Sequence, residues 1–330
     1  MKRCLSVILI LCLFASLLAG CAAELPPLPP LPGKETPAAE TPGEPVAEEP
    51  APAPVEVKAL DLTVTLPAPD AYGEETVWYF SPEEEFDCAF SYPAYCTQWF
   101  EKGAVRFDPG WFFARMFFTS VRKDDEGAPE EMVELLEPGK WGATPGEGTV
   151  GSGWNALRML HLKYDTWRTW VAWETPDRYY LLYGSCFDGR EEIVGSIFET
   201  IAASFLTNGE MLASSPARGE TLFDSGALTL GFDGAALRST QEGLILDLRL
   251  SVKNTGEEPC AFAVSALDAD GGAIPFDDRY PVGAHEGGMW YLSLPLTAAE
   301  GALVRELGFS VAAEGVDAPA PLPVSIHITQ

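Results

Sequence analysis

Histidine is scarce in this 330-residue chain: there are three, His161, His285 and His327. None stands in an HExxH or paired spacing, no serine occupies a GxSxG elbow and no CxxC occurs. The sequence therefore carries no metal-ligand or nucleophile–base signature. Positive charge is short as well, with 21 basic against 49 acidic residues and a net charge of −28. Neither half gathers Lys and Arg into a patch, which argues against nucleic acid, because neutralising phosphates takes clustered cations. An anionic membrane surface or an acidic wall polymer would be repelled. Long apolar runs are also lacking. The longest, Leu5 to Leu18, falls short of the about 20 residues that span a bilayer.

That run instead suits the core of a signal peptide. It follows Lys2 and Arg3 and ends in Leu18-Ala19-Gly20-Cys21, which resembles the lipobox of bacterial lipoproteins. The resemblance implies cleavage between Gly20 and Cys21, a diacylglyceryl group on the Cys21 thiol, and an exported protein held to the extracytoplasmic face of the membrane. The leader, residues 1–20, would remove two of the chain's 21 bases and none of its 49 acids. Acidity of that degree keeps an exported protein soluble. Residues 21–57 are dominated by Pro, Ala and Glu and cannot bury enough apolar surface to offset ordering entropy. They read as a disordered, extended stalk of roughly 100 Å at most, by the polyproline rise of about 3.1 Å per residue. A PxxP ligand is the other reading of this stretch.

Beyond the stalk, 47% hydrophobic and 11% aromatic residues are enough for real cores, and the length suggests two domains. Cys88, Cys96, Cys186 and Cys260 remain after lipidation. Export permits disulfides, and Cys88 with Cys96 is the closest pair. Cys88 also alternates with Phe86 and Phe90, as an inward-facing strand residue does. Both readings stay open.

Residues 58–206 read as the first folded unit. Leu62, Val64 and Leu66 alternate with polar neighbours, and Val77–Phe80, Phe86–Tyr92, Cys96–Phe107 and Trp111–Val121 follow as strand candidates. Pro129 opens a short helix with Met132, Leu135 and Leu136 on one face. Pro138–Gly153 reads as a Gly-rich loop, followed by strands Asn155–Lys163, Trp167–Glu174 and Arg178–Phe187. A helix closes the unit, with Asp188 as its cap and Ile193, Ile197, Ile201, Val194, Phe198 and Phe205 as its apolar stripe. Hairpins closed by a packed helix make an α+β sheet layer. Phe90-Ser91-Tyr92-Pro93, the Trp167–Phe187 hairpin and Phe198–Phe205 resemble the PsbP-like fold of extrinsic photosystem proteins and bacterial lipoproteins. That likeness implies a binding role and brings no catalytic motif.

Residues 207–219 read as a linker. Residues 220–330 hold only strands and turns. Leu244, Leu246, Leu248, Leu250 and Val252 alternate with polar residues, as do Trp290–Leu296 and Val324–Ile328, and turns fall at Asn254-Thr255-Gly256 and Asp270-Gly271-Gly272. About seven strands at such spacing argue for a β-sandwich. The unit resembles immunoglobulin-like domains of Gram-positive surface lipoproteins, without the antibody Cys…Trp…Cys pattern.

Four constellations invite chemistry and have plainer explanations. Trp167, Trp170 and Trp173 would stack sugars if exposed, but alternation splits them between two faces, as in a strand buried on both sides. Asp268, Asp270, Asp277 and Asp278 fail the EF-hand spacing, since Ala273 stands where glycine belongs and Arg279 where glutamate does. Gly146–Gly153 (GEGTVGSG) lacks the lysine of a phosphate loop. His327 lies on the polar face of the last strand, and His161 sits between Leu160 and Leu162. No metal or cofactor is expected. The expected function is non-catalytic binding or scaffolding toward a protein or small ligand at the cell envelope. A wall- or glycan-binding module with exposed aromatics is the alternative. A hydrolase would need a polar cleft joining His161 or His285 to a carboxylate.

Overall fold

The computed structural model describes residues 56–68, 75–81, 86–110, 114–125, 144–163, 166–187, 189–298, 301–315 and 320–330. The leader, Cys21, the stalk up to residue 55, Trp111 and the helix expected from Pro129 lie outside them, as does Asp188. Among the described residues strand accounts for 62% and helix for 8%, so this part of the chain is mostly β.

The chain runs through β1 (Glu56–Val57), β2 (Leu60–Thr65), β3 (Thr76–Phe80), β4 (Cys88–Pro93), β5 (Thr97–Glu101), β6 (Ala104–Asp108) and β7 (Arg115–Arg122). It continues with β8 (Thr144–Val150), β9 (Trp154–Lys163), β10 (Thr166–Glu174), β11 (Arg178–Phe187) and helix α1 (Glu191–Ser204). Next come β12 (Leu206–Thr207), the single turn α2 (Asn208–Met211), β13 (Glu220–Asp224), β14 (Leu228–Thr240), β15 (Gly243–Asn254) and β16 (Cys260–Val264). The last are β17 (Leu267–Ala269), β18 (Gly272–Ile274), β19 (Arg279–Val282), β20 (Gly287–Pro295), β21 (Glu306–Glu314) and β22 (Leu322–Thr329).

Two sheets share the larger core. One has the order β1-β13-β14-β15-β20, and the other the order β18-β17-β21-β16-β19, with β22 paired to β21 and β2 to β22. Strict alternation of burial is clearest in β15: Leu244, Leu246, Leu248, Leu250 and Val252 are buried, and every residue between them is partly exposed. Strand β2, which the sequence places at the head of the α+β portion, belongs here instead. It pairs parallel with β22, Leu60 opposite Val324 through Thr65 opposite Thr329, and buries Leu60, Leu62 and Val64. Local periodicity marks a strand but not its distant partner, so the expected boundary at residue 58 misplaces it. The intervening elements, from β3 to α2, leave and re-enter this β framework.

Those elements surround the second core. An antiparallel sheet of order β5-β6-β7-β11-β10-β9-β8 lies on one side. On the other lie α1 and the small β12-β4-β3 sheet, with Val194, Ile197, Phe198 and Ile201 buried among Phe90, Phe118, Trp173 and Tyr180. Gly184 of β11 lets α1 approach, because a Cβ there would stand 2.6 Å from a Phe198 ring carbon. Ser204 fastens the helix to β4: its Oγ accepts from Ser91 N at 2.8 Å and donates to Thr200 O at 2.6 Å.

Three expectations need correction. Thr144–Val150 is a strand paired along β9 and not part of a Gly-rich loop; two glycines and a proline hid it, and edge strands tolerate both. Helix α1 starts at Glu191, with Arg190 at its N-cap and no side-chain cap. Residues 207–219 are not a bare linker. Thr207 and Glu210 form a capping box on α2, Met211 is buried, and Ser214 bridges to Thr63 of β2. Burial opposes the charge on Glu210, but hydrogen bonds from Ser152, from Thr207 through its N–H and hydroxyl, and from Trp154 together outweigh it. They hold the carboxyl below its ordinary pKa.

Candidate functional site: an arginine–aromatic sheet face

Helix α1 covers one face of the seven-stranded sheet, and the opposite face carries the chemistry. Strand alternation sends Met116, Phe118, Leu182 and Val171 to the core and their neighbours outward. Register then lines up an outward row: Arg106 opposite Phe117, Phe117 opposite Tyr183, Tyr183 opposite Trp170. One step of two residues along, Arg115 faces Ser185 and Ser185 faces Arg168. Backbone register also puts His161 opposite Arg168.

The result is a cavity of about 610 Å³ lined by Arg106, Arg115, Arg168, Phe117, Trp170 and Tyr183, with Phe187 at its exposed margin. Its floor is apolar: Trp170, Ala172 and Leu181 form a small buried cluster, and Phe117 stacks on Tyr183 at 5.0 Å between centroids. The Arg106 guanidinium lies 5.0 Å from the Phe117 centroid, a cation–π contact, and its buried Nε has no hydrogen-bond acceptor.

Charge makes the face unusual for this chain. Several guanidiniums elsewhere meet carboxylates: Arg158 with Glu199, Arg218 with Asp233 at 3.1 Å, Arg238 with Asp247 at 2.6 Å and Arg279 with Glu314 at 2.8 Å. Arg106, Arg115 and Arg168 have no ion pair among the described residues, and no described acid lines the cavity. An oxyanion about 4 Å from one of them gains about 1 kcal/mol in bulk water and about 4 kcal/mol at an effective dielectric near 20.

The expectation that no basic patch exists is therefore corrected by the sheet register. Arg106 and Arg115 lie on the paired strands β6 and β7, but Arg168 is some fifty residues farther along and joins them only across β11 and β10. A signal was present: Arg115-Met116-Phe117 and Arg168-Thr169-Trp170 both put an arginine two residues before an aromatic, hence on one face.

The residues singled out by sequence fall elsewhere or in other roles. Trp170 and Trp173 are 5% and 4% exposed, on opposite faces, and Trp167 packs partly against the inner core. None offers a free ring face for a sugar. Cys88, Cys96, Cys186 and Cys260 are buried free thiols, so Cys88 and Cys96 are not bridged. Burial, and then Asp87, push the Cys88 thiol well up, with Arg178 opposing. His285 Nε2 lies 3.2 Å from Glu257 at the surface, 59% and 90% exposed, which is not a buried catalytic pair. His327 meets Glu306, also at the surface. Asp270 accepts from Arg305 N at 3.3 Å and Asp278 from Trp290 Nε1 at 3.3 Å, so both serve the fold. Among the described residues no group of three or more His, Cys, Asp or Glu could hold a metal ion. No described helix is long and apolar enough to cross a membrane. Within GEGTVGSG, Gly151 serves close packing: at φ +55° it donates to Ala202 O at 2.7 Å, and a Cβ there would collide with Phe205 O.

The sequence matches no protein-family model and no curated protein. Among solved structures it is similar to a Bacteroides thetaiotaomicron VPI-5482 protein, 12% identical with a TM-score of 0.29, over 47% of this chain and 52% of that one. The chain thus spans about half the length of that protein, and a likeness of this degree assigns neither fold nor function.

Proposed function

We propose that this chain is a lipid-anchored, extracytoplasmic protein that binds a ligand on the outer face of its seven-stranded sheet and performs no catalysis. The lipobox resemblance at Leu18–Cys21 supports the anchor, and the Pro/Ala/Glu stretch after it supports a spacer between bilayer and binding face. The α+β portion is a PsbP-like module and the β framework an immunoglobulin-like sandwich, in keeping with the residues quoted above for each likeness. One observation carries the binding reading: three arginines without an ion pair among the described residues converge over an aromatic floor, whereas Arg158, Arg218, Arg238, Arg249 and Arg279 each meet an acid. A concave, mostly apolar cavity with a few convergent polar groups is the usual form of a small-ligand site.

Native mass spectrometry of the full-length protein, purified from its host without denaturation, tests this. The expected result is a diacylglyceryl mass on a chain beginning at Cys21, together with a bound mass. That bound mass is absent from an Arg115→Gln/Arg168→Gln variant. A bound mass kept by the variant, or none in either protein, would contradict the binding reading.

A further inference from the structure

We infer that this sheet face takes a small amphipathic oxyanion, a carboxylate or phosphate joined to a flat apolar body. The inference rests on the ligand-binding reading above and names the class of ligand. The cavity of about 610 Å³ falls within the roughly 300–1,000 Å³ of small-molecule sites. Its two rows divide the task. The half-buried Phe117 and Tyr183 rings, stacked 5.0 Å apart over the buried Trp170, give an apolar patch against which a planar body can lie. The Arg115–Ser185–Arg168 row, one step along, presents two guanidiniums that no described carboxylate occupies, with Ser185 between them. Guanidinium forks match carboxylate and phosphate geometry, two parallel N–H donors to two oxygens. Arg106 closes the aromatic row, held by the Phe117 ring and not by a competing acid.

Other occupants fit less well. A neutral sugar would desolvate the guanidiniums without giving them a charge partner, which is costly. A nucleic acid typically engages 6–10 phosphates, and only three arginines line this cavity.

Isothermal titration of the full-length protein with four probes tests the class: 1-naphthyl phosphate, 1-naphthoate, uncharged 1-naphthol and inorganic phosphate. At least one naphthyl oxyanion should bind tenfold or more tighter than both 1-naphthol and inorganic phosphate, and weaken as salt is raised. Arg115→Gln/Arg168→Gln should lower that affinity at least tenfold. Both side chains are exposed, so the core is untouched. Arg218→Gln/Arg238→Gln, on the β framework, should change it less than twofold. Binding of 1-naphthol as tight as that of both oxyanions would overturn the inference. So would an Arg115/Arg168 variant that binds them like the parent. If native mass spectrometry finds a ligand lost from that variant while 1-naphthol matches the oxyanions, the site stands and the ligand class falls. If the variant keeps both ligand and probe affinity, the site itself falls.

Discussion

Asn254 illustrates what a single polar residue does in this protein. It is 1% exposed, yet every polar atom of its side chain is used. Nδ2 donates to Glu258 O at 2.8 Å and Gly283 O at 3.1 Å, and Oδ1 accepts from Gly256 N at 2.9 Å. The amide thereby fixes the end of β15 and ties it to the loop before β20. Asn254→Ala leaves two carbonyls and one N–H without this partner, each worth about 1–3 kcal/mol when buried. Chemical denaturation should show a loss of at least about 2 kcal/mol, and a loss below about 0.5 kcal/mol would refute that role. The Asn254-Thr255-Gly256 turn was legible in the sequence. Its burial was not, because a turn motif says nothing about the loop that comes to cover it. The arginines of the binding face are the same case. Each reads singly as a solvated strand residue, and only pairing across four strands brings them together.

Among the elements, hairpins were the most legible and distant pairings the least. The expected strand Arg178–Phe187 matches β11 at both ends, and Trp167–Glu174 and Asn155–Lys163 differ from β10 and β9 by one residue. Alternation and turn chemistry are local, and these strands meet neighbours in sequence. Strand β2 has the same alternation, but its partner lies some 260 residues away, where no local pattern points. That pairing has a consequence. A fragment of residues 220–330 would lack β2 and expose the sites that Leu60, Leu62, Val64 and Leu66 fill. Burying each such side chain is worth about 1.5–3 kcal/mol, so their joint loss rivals the about 5–15 kcal/mol that holds a domain together. Circular dichroism on heating should therefore find no cooperative transition for 220–330, or one far below that of the full-length chain. A melt equal to that of the full-length chain would show that β2 is dispensable.

For the whole molecule, two cores sit in one β-rich unit: a framework of two sheets, and an excursion from it that carries the exposed face. Burial explains why catalytic and glycan readings lose ground at the residues first singled out for them. The tryptophans hold strands together, and the exposed histidines pair with surface acids. The Arg106, Arg115 and Arg168 surface is accessible, concave and charged, and it departs in sign from a chain of net −28. Arginine Nε–Hε resonances report that surface directly during a titration with 1-naphthyl phosphate or 1-naphthoate. The signals of Arg106, Arg115 and Arg168 should move together and saturate at one ligand per chain, while those of Arg218, Arg238 and Arg279 stay still. Movement confined to the second group, or none in the first at saturating probe, would contradict the account.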